Sequence, residues 1–268
     1  MSRRWWGFAL WLALLCGGGA AQAGRTCEAP HPPAVQTVVR GLDLAERTLN
    51  GLDASGARVV LLARAGQDLT QYGLRYSHLG FAYQQSDGQG GHVWRVLHKL
   101  NECGSAQASI YRQGLGEFFL DGMWRYEAAW VVPTPQVQDR LLALLEDPQR
   151  AVALQHKPYS LVSYVWGLQY QQSNQWAIET LASALEPGAV NRGQAQAWLQ
   201  AKDYQPSTLK ISALTRLGAR MTKVNVAFDD HPNDKRFSDR IETVTVDSVF
   251  SWMQRAQLGA PPVRLGER

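Results

Sequence analysis

Cysteine is scarce in this 268-residue chain, which holds three, Cys16, Cys27 and Cys103. That number excludes a disulfide-dense scaffold and a four-cysteine zinc site. Long apolar runs are missing after the N-terminal segment, where no stretch approaches the roughly 18 residues that span a membrane. Charge of one sign is missing too: 27 Lys and Arg stand against 23 Asp and Glu. Without a phosphate-neutralising surplus, nucleic acid is excluded as a partner. What is present is a 45% hydrophobic, 19% charged composition, enough to bury a core and too apolar for disorder.

The first 23 residues read as a secretory signal: Arg3-Arg4, an apolar run from Trp5 to Leu15, then small residues ending in Ala21-Gln22-Ala23, an A-x-A cleavage pattern. A lipid anchor on Cys16 is disfavoured because Leu15 stands where a small residue belongs. The expectation is one soluble domain, 24–268, in the periplasm or outside the cell, with no stable membrane span once the signal is removed. The two remaining cysteines, Cys27 and Cys103, are expected to form one disulfide in that oxidising compartment. The other use of such a residue, a catalytic thiolate, wants a helix starting behind it; both are flanked by turn-like residues instead.

Along the chain, apolar spacing at Val35, Val38, Val39, Leu42, Leu44 and Leu49 predicts a helix over 34–52. Strands are expected at 58–64, 76–83, 92–100 and 126–132, the middle two joined by the Gly-rich loop 84–91. Thr134-Pro135 opens a helix, 173–185 forms another stopped by Pro187-Gly188, and 194–202 a third. Strands at 223–228 and 243–246 and a last helix at 248–257 follow. Together these predict an α+β domain with a sheet of four to six strands.

Alternation places Tyr76, His78, Gly80 and Ala82 on one face of the first hairpin strand, and Leu79, Phe81 and Tyr83 on the other. The second strand shows His92, Trp94, Val96 and His98 on a common face. A hairpin symmetric about Gly88 sets His78 opposite His98, within reach of one another. Two readings stand: half-buried histidines satisfied by local hydrogen bonds, or an imidazole pair serving a site.

Ser77-His78-Leu79-Gly80-Phe81, preceded by Ala65-Gly66-Gln67-Asp68-Leu69 and followed by Val96-Leu97-His98, resembles the first half of the circularly permuted NlpC-type, papain-like hydrolases. That group includes lecithin:retinol acyltransferase. The resemblance implies a papain-like antiparallel sheet packed with helices and a nucleophile at a later helix start. Ser173-Asn174-Gln175-Trp176-Ala177 is similar to that start, with Ser173 where the family has cysteine. The whole chain, with Asp230-His231-Pro232 and Val246-Asp247-Ser248-Val249 as further marks, resembles a bacterial family of unknown function, number 2145.

By this resemblance Ser173, His78 and His98 are the catalytic candidates. A hydroxyl does not ionise at a helix N-terminus as a thiol does, so Ser173 needs His78 as a base and His98 to orient it. Ser173 is equally a good N-cap, or part of a site kept for binding. The acidic loop Asp229-Asp230-His231 has turn chemistry and lacks the ligand spacing of a calcium loop; neither metal nor cofactor is expected. Two functions compete: a secreted amide or ester hydrolase or acyltransferase, or a non-catalytic periplasmic binding or assembly protein retaining the groove. Either acts on cell-envelope material, whether peptidoglycan peptide, lipid or lipoprotein.

Overall fold

The structure, a computed structural model, describes residues 32–267. The expected leader and Cys27 lie outside these residues, and with Cys27 the expected bridge to Cys103. Among the described residues, six strands form one antiparallel sheet in the order β4-β3-β2-β1-β5-β8. They are β1 Val59–Ala65, β2 His78–Ser86, β3 His92–Asn101, β4 Ala108–Gly114, β5 Arg125–Val131 and β8 Val263–Leu265. A separate ribbon pairs β6 Ser207–Lys210 with β7 Arg240–Thr243.

β1 lies at the middle of the sheet, and all seven of its residues are buried. Its sequence, Val-Val-Leu-Leu-Ala-Arg-Ala, is accordingly a nearly unbroken apolar run, because a strand covered on both faces has no solvent side to alternate with. One face carries Leu61, Leu79, Phe81 and Leu97 under α3 Pro135–Leu145, α5 Ser173–Leu185, α6 Arg192–Ala201 and α9 Val246–Arg255. The opposite face carries Val60, Leu62, Ala82, Trp94 and Val96 under α1 Val35–Ala54 and α2 Leu115–Leu120. The mixed α+β class and antiparallel sheet agree with expectation.

Several details differ. α1 buries Gly41, Leu44, Ala45, Thr48 and Leu52 and leaves Val35, Val39, Leu42 and Leu49 exposed. The small residues decide the face: a side chain on Gly51 would meet the Trp130 ring at 2.8 Å. Segment 223–228 is irregular. Val226 and Phe228 are buried, but the backbone partners here are Leu161 and the Ser160 hydroxyl, not a strand. Residues 240–243 pair instead, and Val246 already begins α9. β4 and α2 come from 108–120, where little periodicity announces them; the Glu117 carboxylate accepts the Gly114 N–H at 3.0 Å and fixes the start of α2. Helices α4 Pro148–Val152, α7 Ala213–Thr222 and α8 Asn233–Phe237 and a 3-10 turn at Thr70–Tyr72 complete the described elements.

Candidate functional site

The hairpin turns one residue later than symmetry about Gly88 suggests: Ser86 pairs with His92 and Phe81 with Leu97. The ladder therefore sets Gly80, not His78, across from His98. A two-residue shift preserves the face, so the histidines still meet, diagonally: His78 Nε2 lies 2.8 Å from His98 Nδ1. Gly80 makes this approach possible, because a Cβ there would stand 2.9 Å from the His98 Cβ.

His98 Nε2 faces the Gln113 carbonyl oxygen at 2.8 Å, which only accepts, so that nitrogen carries a proton. The Nε2···Nδ1 contact needs a lone pair on one side, so at most one of the two rings is charged. Both side chains are buried. Burial holds the His78 imidazole well below its ordinary pKa, and the Arg64 guanidinium and His98 push the same way. The Phe118 ring lies 5.1 Å from that of His98 and 5.9 Å from that of His78. Arg64, stacked on Phe118, bonds the Phe118 carbonyl and Asp121. The pair is roofed by α2.

Ser173 lies under the other face. Three residues along α5, the Trp176 ring packs edge-on against Phe81 at 5.7 Å, on the side of the sheet opposite to Phe118. Ser173 is the first helical residue, not the cap: Gln172 caps α5 by accepting the Asn174 N–H at 2.8 Å. The side chain beside the Ser173 hydroxyl is Tyr159, whose phenol burial pushes up to about 12 with Ser173 opposing, far from a general base near neutrality. Thus the structure brings His78 and His98 together and sets Ser173 apart from them, across the sheet.

On the Ser173 side a polar cluster appears that sequence reading passed over. The Lys99 ammonium, fully buried, donates to the His156 carbonyl at 2.5 Å and to Gln171 Oε1 at 2.7 Å. Gln171 Nε2 donates to Glu179 Oε2 at 2.5 Å. Glu179 in turn holds Arg192 through two bonds, at 2.8 and 3.1 Å, and accepts from Gln196 at 2.7 Å. Arg192 also bonds the carbonyls of Gly167, Leu168 and Tyr170, so the cluster fastens the long irregular segment 154–172. Burial pulls the Lys99 amine down to about 7, Arg192 adding to it and Glu179 opposing. The available signal was the alternation itself, which puts Lys99 on the face of Leu97.

The Asp229-Asp230-His231 loop is another fastener. Asp230 bonds His231 at 3.0 Å and accepts the Tyr164 N–H at 2.7 Å, while Asp229 accepts from Gln169 at 3.1 Å. Among the described residues no group of three or more His, Cys, Asp or Glu is placed to hold a metal, and no helix is long and apolar enough to cross a membrane. A concave surface does exist elsewhere: a groove of about 830 Å³ between α3, α6 and α9, lined by Val137, Leu185, Trp198 and Leu258 with Arg140 and Lys202.

The chain belongs to a bacterial family. Residues 51–253 match the profile of domain-of-unknown-function family 2145, described as an uncharacterized protein conserved in bacteria. No curated protein and no solved structure matches the chain. The family span takes in the histidine pair, Ser173, the Lys99–Glu179–Arg192 cluster and most of α9, and leaves out most of α1 and all of β8.

Proposed function

We propose that this family member is a non-catalytic binding or assembly protein of the cell envelope, on a scaffold resembling the permuted papain-like hydrolases but without their reaction. The observation that carries the reading is the separation of Ser173 from the histidines by the sheet. A hydroxyl nucleophile needs a base within hydrogen-bond reach, and the titratable neighbour of Ser173 is the buried Tyr159 phenol, whose pKa is pushed up, not an imidazole. The histidines, closed under α2, use His78 Nε2 and both nitrogens of His98 on each other and on Gln113. Both former positions of chemistry then serve to hold elements together.

The groove between α3, α6 and α9 is the binding surface in this reading. Its size falls within the range of small-molecule sites, and its mixed walls, apolar at Val137, Leu185, Trp198 and Leu258 and polar at Thr134, Gln136 and Gln257, with two cations and no acid, fit an envelope lipid or another amphipathic anion. The leader at 1–23 sends the chain to the periplasm or outside the cell, where such material is found.

The test is hydrolysis by the purified mature chain of p-nitrophenyl esters and p-nitroanilide amides, beside Ser173→Ala. The expected result is no turnover above buffer in either protein, with Ser173→Ala folded. Turnover that Ser173→Ala removes and Ser173→Cys restores overturns the proposal and returns the hydrolase reading.

A further inference from the structure

Helix α7 is folded against the body by very little of itself. Its described contacts on the inner side are Arg216, whose guanidinium bonds the Ile211 carbonyl and Asp239, and Ala219, which packs against the Leu209 and Ile241 cluster. The outer side is apolar. Leu214 is 79% exposed, Leu217 57%, Met221 78% and, just beyond the helix, Val224 62%. The three helical residues are spaced i, i+3 and i+7, so they form one stripe rather than scattered exposures.

Charge is equally one-sided. Residues 212–224 contain Arg216, Arg220 and Lys223 and no acid. Where α7 leaves the ribbon, Lys210 of β6 faces Arg240 of β7 directly in register. Like charges at opposed ladder positions repel; Glu242, 4.0 Å from Arg240, and Asp239, bonded to Arg216, answer part of this charge, which leaves the exposed Arg220 without an acidic partner among the described residues. A short helix with an apolar outer stripe and basic flanks has the design of an interfacial helix, which lies in the headgroup layer with its apolar residues among the acyl chains.

We infer that α7 is a docking surface for an anionic lipid bilayer. The stripe of Leu214, Leu217 and Met221 enters the interface, and Arg220 contacts the lipid phosphates. The inference stands on α7 and the ribbon beside it and does not depend on whether Ser173 is catalytic, so its failure leaves that question untouched.

The experiment is flotation of the mature chain with phosphatidylglycerol-containing vesicles and with vesicles of phosphatidylcholine alone. The expected result is association with the anionic vesicles that added salt weakens. Replacing Leu214, Leu217 and Met221 together by serine should lower vesicle affinity at least about tenfold. Arg220→Glu removes one cation and adds an anion, and should lower it by more than about fivefold. Both variants alter exposed side chains, and unchanged thermal unfolding verifies that they are folded. Failure of the wild-type chain to float with anionic vesicles, or full retention by the triple-serine variant, overturns the inference. So does a dimer that the triple-serine variant turns into a monomer without any vesicle binding, because the stripe is then an interface between two copies.

Discussion

Arg192→Met is the sharpest probe of how the helical layer is held to the sheet. Arg192 and Glu179 are both buried, and the guanidinium makes two bonds to the carboxylate and three to backbone carbonyls. Removing one partner of a buried pair leaves the other charge uncompensated, at a cost of about 3–5 kcal/mol. Glu179 retains the amides of Gln171 and Gln196, which places the expectation toward the lower half of that range. The second positive group in the cluster is Lys99, whose amine is held at about 7 against an ordinary 10.5. Its folded value is depressed, so between those two limits the unfolded chain holds a proton that the folded chain has released. Wild-type stability attributable to Lys99 therefore rises with pH across that window, by up to roughly 1.4 kcal/mol per unit, and is lost as pH falls toward 7. Without Arg192, one of the groups lowering the amine is gone, Lys99 takes up its proton at higher pH, and its ammonium compensates Glu179. The Arg192→Met loss should accordingly be smaller near pH 7 than about two units above it. Urea unfolding followed by tryptophan fluorescence at both pH values measures this. The double variant Glu179→Gln/Arg192→Met, which removes both charges, should recover at least about 1 kcal/mol relative to Arg192→Met. A loss below about 1 kcal/mol for Arg192→Met at both pH values refutes the reasoning, since it means the pair is solvated.

Gly80→Ala forces a methyl into 2.9 Å contact with the His98 Cβ and 3.1 Å from the Leu97 carbonyl; it should cost about 1–3 kcal/mol in urea unfolding and shift the imidazole NMR signals of both histidines. Thr180→Val removes a buried hydroxyl that has no hydrogen-bond partner, keeps the shape, and should raise stability by up to about 1 kcal/mol in thermal unfolding; a loss of that size means the hydroxyl is bonded in solution. For the cysteines, the mature chain should start near Gly24 and gain two mass units on reduction, reporting the Cys27–Cys103 bridge, and two free thiols in the unfolded, unreduced chain refute it.

The sequence alone determined the element types of the first half, the antiparallel hairpin and the helix starting at Ser173, because period-2 and period-3.6 patterns and Pro, Gly and capping residues are local signals. It also put His78 and His98 on one face, since parity survives a two-residue shift of the turn. Local signals fade where contacts replace periodicity. The alternation of Val224, Val226 and Phe228 reads as a strand, but the chain there bonds an irregular loop. The apolar face of α1 is set by the ring that Gly51 admits, not by the count of valines and leucines. Above all, nothing in the motifs says on which face of the sheet a later helix packs. That was decided by tertiary structure: Phe81 and Trp176 interlock on one side, Phe118 covers the histidines on the other. Residues that share a strand alternate between two environments about a sheet's thickness apart, so a helix docked on one face meets only every second residue. For α5 those are Leu79, Phe81 and Lys99, and the histidines are the residues between.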